Sequence, residues 1–129
     1  MFTFRNMLAV AVFLFGTTFL WMMPLFIGPH ATGILWNFAQ VLGFLAILGF
    51  TVTAWGIVTA AGWWEPVAIA SSVVGVAATI PYAISAPSLP TGGDPLSLGI
   101  NIGMHALGSA AVVAALLVSS SEHWIAGRI

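Results

Sequence analysis

Residues 34–61 read ILWNFAQVLGFLAILGFTVTAWGIVTAA, twenty-eight positions without one charged side chain. A helix rising ~1.5 Å per residue needs only about 20 residues to cross a hydrocarbon core ~30 Å thick. Such a run cannot be wrapped in a soluble surface at this chain length. It predicts a membrane span, and the rest of the chain agrees. The protein has 129 residues, 60% of them hydrophobic and 4% charged, with a mean hydropathy of +1.11. A soluble domain would carry roughly a quarter of its residues charged. Here two basic and three acidic side chains are all there are.

Working outward, three more apolar segments appear, each bounded by turn chemistry: Met7 to Ile27, Val67 to Ile84 and Leu98 to Val118. Gly28-Pro29-His30 closes the first, "GWWEP" (Gly62 to Pro66) separates the second from the third, and "SSSEHWIAGRI" follows the fourth as a polar tail. In lipid the backbone must satisfy its own hydrogen bonds, and a barrel would show short alternating strands instead. The expectation is an all-α integral membrane protein, a single domain of four transmembrane helices over 7–27, 34–61, 67–84 and 98–118. The first segment is too long for a signal peptide and no small-x-small cleavage site follows it, so it reads as a permanent helix.

The net charge of −1 excludes a nucleic-acid footprint, which needs clustered Lys and Arg. Without cysteine there is no disulfide, thiolate metal site or thiol redox chemistry. Four spans put both termini and the Gly62–Pro66 turn on one side, where Arg5 and Arg128 also lie. The positive-inside rule then predicts a multi-pass protein of the cell membrane with cytoplasmic termini. Trp63, Trp64 and Trp124 fall where an inner aromatic belt would sit, and Trp36 where an outer one would.

The two hairpins resemble each other. "MPLFIGP" (Met23 to Pro29) ends the first helix and "IPYAISAP" (Ile80 to Pro87) the third, each with a proline one turn before the exit. "WNFAQVLG" opens the second with Asn37 and Gln40, and "INIGMHALG" opens the fourth with Asn101 and His105; Gly43 and Gly108 follow. Repeats one hairpin apart point the same way across the membrane. The arrangement resembles the SPW-repeat membrane proteins, small chains built from duplicated two-helix units. Pro24, Pro81, Trp36-Asn37 and Gly43 match that pattern. Met23 and Leu25, Ile80 and Tyr82 stand where its serine and tryptophan would be. The resemblance implies architecture only.

Polar residues gather toward the outer side: Asn37, Gln40, Tyr82, Asn101 and His105 within helices, His30 and Asp94 in the loops above. They are candidates for a polar cluster or ligand-binding site. Asn101, His105 and Gly108, at i, i+4 and i+7, share one face of the fourth helix. Gly99, Gly103, Ala106, Ala110 and Ala114 form a second stripe suited to close helix packing. Ile100, Met104 and Leu107 suit lipid. A helix with two specialised faces predicts a second neighbour. The inner hydroxyls Thr51, Thr53, Ser71 and Ser72 can bond to their own helix's carbonyls.

His105 has several readings: a haem or metal ligand, a proton relay or substrate contact, or a structural group bonded to Asn37, Gln40 or Tyr82. A bis-histidine haem needs a second imidazole at the same depth, and only the loop residue His30 is near, so no cofactor or metal is expected. Asp94 before Pro95 and Glu65 before Pro66 read as helix caps. That leaves no carboxylate pair for acid–base work. Ser109 stands four residues from His105, but nothing orients the imidazole for nucleophilic catalysis. No phosphate loop or zinc spacing occurs. The leading expectation is a non-catalytic membrane subunit, homo-oligomeric or an accessory part of a larger complex. Its partners would be the lipid bilayer and other membrane helices. The alternative is a small transporter or channel that binds a polar solute or lipid headgroup at the outer cluster.

Overall fold

The computed structural model describes residues 3–22, 31–88 and 95–129. It is all-α, with four helices long and apolar enough to cross a membrane. Helix α1 (Phe4–Thr18) runs into a 3-10 turn, Phe19–Met22; α2 spans Ile34–Val58; α3 spans Trp64–Ser85 and ends in a 3-10 turn, Ala86–Ser88; α4 spans Pro95–Leu117. A fifth, short helix, α5 (Ser119–Ala126), occupies what reads in sequence as a polar tail. Val118 breaks the chain direction with extended backbone. Glu122 in the first turn and His123 in the last then suit the α5 dipole.

Local chemistry accounts for the boundaries. Thr3 caps α1 by accepting the Asn6 N–H at 3.3 Å, so the helix starts three residues before its apolar run. α2 stops through a left-handed residue, Ala60 (φ 51°), with the Ala61 N–H reaching the Gly56 carbonyl at 2.9 Å. Glu65 is not a cap: Trp63 holds that position, and Glu65 sits in the first turn of α3, where its charge favours the helix N-terminus. Pro95 is the first residue of α4, as N1 chemistry favours. The capping reading of Asp94, the first-loop His30, and the Met23-Pro24-Leu25 motif lie outside the described residues. Pro81 does stand one turn before the end of α3.

Between helices in lipid there is little hydrophobic drive, so close packing must hold the bundle together. Glycines and small residues provide it. A Cβ on Gly16 would lie 2.6 Å from the Phe50 Cβ, bringing α1 onto α2. Gly49 meets Ser71 between α2 and α3, and Gly108 of α4 meets the Phe15 ring of α1. α2 and α3 carry most of the buried residues and form the centre, with α1 against α2 and α4 against α3. Phe15, Phe19 and Phe50 fill the middle, with ring centroids 5.1–6.0 Å apart. Thr51, Thr53, Ser71 and Ser72 all donate to carbonyls four residues back, at 2.6–2.8 Å.

Two of the tryptophans are not interface anchors. Trp36 is buried and stacked with Tyr82 at 6.2 Å, and Trp64 is buried in the core at the terminal end of the bundle. Trp63 and Trp124 are exposed, and so are Trp21 (67%) and Trp55 (65%), which the belt assignment had omitted. At the terminal end the four long helices and α5 leave a partly enclosed void of about 100 Å³, lined among others by Val12, Ile57, Ala68, Ala115 and Ile125.

Candidate functional site

The site is built on the inward edge of α4. Asn101, His105 and Ser109 follow one another at single-turn spacing, and the last two are 0% exposed. The His105 Nδ1 lies 2.6 Å from the Asn101 main-chain oxygen. A carbonyl can only accept, so Nδ1 carries the proton and a neutral ring presents a lone pair at Nε2. Nε2 is buried and has no partner among the described residues. The Phe19 ring stands edge-on against the imidazole, centroids 4.4 Å apart at 62°.

α3 comes close here because Gly75 has no side chain. A Cβ on Gly75 would lie 2.7 Å from the Ser109 Oγ and 2.8 Å from the Phe19 Cζ. The Ser109 hydroxyl is pressed against that bare backbone and has no hydrogen-bond partner. It differs in this from Ser71 and Ser72, which bond back to their own helix.

Asn101 Nδ2 donates to the Tyr82 hydroxyl at 3.1 Å and, at a longer 3.4 Å, to the Trp21 carbonyl. Its Oδ1 is buried and has no partner among the described residues. Gln40 does not join this group directly. Its Nε2 donates 3.1 Å to the Met22 carbonyl. Trp21 and Met22 close the 3-10 turn after α1, where helix carbonyls lose their intrahelical donors. The two amides therefore cap a helix end from neighbouring helices. The sequence marks the polar residues as candidates for a cluster and leaves open whether they meet; their partners here are largely main-chain carbonyls, which a residue pattern does not display.

Asn37 is outside the cluster. It is exposed on α2 and lines a shallow groove with Ile34, Phe38 and Val41, although it lies only three positions from the half-buried Gln40. Tyr82, Asn101 and His105 do come together. Ser109 belongs with them, although its small size suggested only packing.

At its outer end the small-residue stripe of α4 leaves room around its glycines among the described residues. A Cβ on Gly99 or Gly103 would meet no atom within 4 Å. Ala110 and Ala114 are exposed and, with Val73, Ala77 and Ile80 of α3, line an open groove. Among the described residues no three His, Asp or Glu side chains gather as metal ligands. Among the described residues no acid bonds to the buried imidazole or hydroxyl, and both are 0% exposed. The arrangement can hold helix ends and fix helix rotation.

Comparison with protein-family models, with curated proteins and with solved structures finds no match.

Proposed function

We propose that the protein is a non-catalytic membrane subunit whose work is helix packing, with copies of itself or as an accessory part of a larger membrane complex. The observation that carries this is the uncovered small-residue face of α4. Gly99 and Gly103 leave backbone open to close approach, and Ala110 and Ala114 extend the same face toward the α3 groove. In lipid such a surface gains from a second helix seated on it, because close backbone contact supplies the dispersion energy that hydrophobicity does not. With cytoplasmic termini the face would begin in the outer leaflet.

The test is Gly103→Leu, made in protein extracted gently from its own membranes and weighed by native mass spectrometry. A Cβ at Gly103 meets no described atom within 4 Å, so the monomer is expected to fold as before. The wild type is expected to appear with copies of itself or with unrelated subunits, and the variant alone. A wild type that is monomeric throughout, or a variant that assembles unchanged, refutes the reading.

A small transporter or channel remains the second reading, supported by the unpartnered Asn101 Oδ1, His105 Nε2 and Ser109 Oγ on one buried edge. Against it stands the packing: the Phe19 ring and the Gly75 backbone occupy the space a solute would need. His105→Leu separates the two. A transport residue would lose flux of a polar solute in vesicles with assembly intact; a packing residue would leave no flux to lose.

A further inference from the structure

The chain has only two basic side chains, and the fold brings together the chain segments that carry them, from opposite ends of the sequence. α5 turns back so that the Trp124 ring meets Phe4 edge-on, centroids 5.4 Å apart. Arg128, one turn after Trp124, lays its guanidinium over the same ring, 3.7 Å from the centroid. Arg5 follows Phe4 in the first turn of α1. It is half-buried, and its Nε is enclosed without an acceptor.

Neither arginine forms an ion pair among the described residues; Glu122, the acid on α5, is 3.5 Å from His123 instead. Arg128 Nη1 reaches the Trp124 carbonyl at 3.4 Å, and every other guanidinium N–H of the two residues lacks a protein acceptor among the described residues. No acid offsets the positive end of the α1 dipole in its first turn. Two planar cations, one steered by an aromatic face, thus stand unneutralised at the level where a span leaves the hydrocarbon.

We propose that Arg5 and Arg128, organised by Trp124, bind the phosphate of an anionic phospholipid at the membrane surface on the terminal end of the bundle. Guanidinium forks match phosphate oxygens bidentately. The lipid supplies what a free anion cannot, acyl chains lying along the exposed apolar flanks of α1 and α4. Trp124, half out of the protein, suits the headgroup level. This site is independent of the α4 face and stands or falls separately from it.

The experiment uses the full chain reconstituted in vesicles of equal phosphatidylglycerol and phosphatidylcholine, then re-extracted, with retained lipid counted by mass. Phosphatidylglycerol is expected to be enriched. Arg5→Gln and Arg128→Gln are each expected to reduce that enrichment about fivefold, while Arg128→Lys, which keeps the charge but loses the fork and the stacking on Trp124, keeps only part of it. Raising the salt to ~1 M, where screening acts over about 3 Å, is expected to strip the lipid from the unaltered protein. Equal retention of the two lipids, salt-independent retention, or full retention in the double glutamine variant overturns the proposal. Displacement by millimolar inorganic phosphate also overturns it, since the site would then be one for a free anion.

Discussion

Replacing Ala115 with leucine directs new atoms into the void of about 100 Å³ at the terminal end of the bundle. In soluble proteins a core void costs about 24 cal/mol per Å³ on top of the transfer energy of the missing groups. In a bilayer the transfer part vanishes, because an undocked helix still rests in hydrocarbon. What remains is the void term, about 2.4 kcal/mol for the whole space. Leucine fills it only in part and forces some neighbours to adjust, so the expected gain is about 1–2 kcal/mol. Thr53, the polar residue at the wall, already donates to the Gly49 carbonyl, so nothing there calls for water. Reversible unfolding in mixed micelles with increasing SDS reads the change, and Ala111→Leu on the exposed face of α4 is the control, with no gain expected. If Ala115→Leu is neutral or destabilising while the control is silent, lipid or collapsed side chains already fill the void and the reasoning fails.

Gly75→Ala places a methyl 2.7 Å from the Ser109 Oγ and 2.8 Å from the Phe19 Cζ, and is expected to cost about 1–3 kcal/mol in the same assay; an unchanged midpoint would mean α3 and α4 are not in close contact there. Ala60→Gly relieves a left-handed alanine and is expected to stabilise by about 1 kcal/mol, part of the gain being lost to the freer unfolded chain. A drop in stability would show that Ala60 does not end α2 in that conformation. His105→Met removes a buried nitrogen without a partner while keeping the volume, and is expected to be neutral or to gain about 1 kcal/mol. A loss larger than that would mean Nε2 has a partner in the membrane that must be identified.

What could be read in the sequence was what lipid dictates. A charge-free run as long as residues 34–61 has one economical backbone conformation in hydrocarbon, so the number and type of spans follow from composition. Helix rotation does not. Asn37 and Gln40 are three residues apart on one helix, yet one faces outward and the other caps the Met22 carbonyl. Trp36 and Trp64 stand in the first turns of α2 and α3, near where the pattern expects helix ends, but they point inward, which it does not show. Ala60 ends α2 in a conformation usually given to glycine, and carries no signal in its residue type. The Phe4–Trp124–Arg128 stack was half-visible: Trp124 and Arg128 stand four residues apart, a spacing that lets them meet, while the return of α5 to Phe4 belongs to tertiary structure.

The carbonyls of Trp21 and Met22 are answered by amides that the ribosome delivers much later, Gln40 with the second helix and Asn101 only with the fourth. Because synthesis runs from the N-terminus, the first span enters the bilayer before either amide is present. Its seating is therefore a late event in biogenesis, completed when the last helix threads into place. A nascent chain arrested before Leu98 is expected to hold its first helix loosely enough for chaperone or protease capture, and one arrested after Leu117 is not.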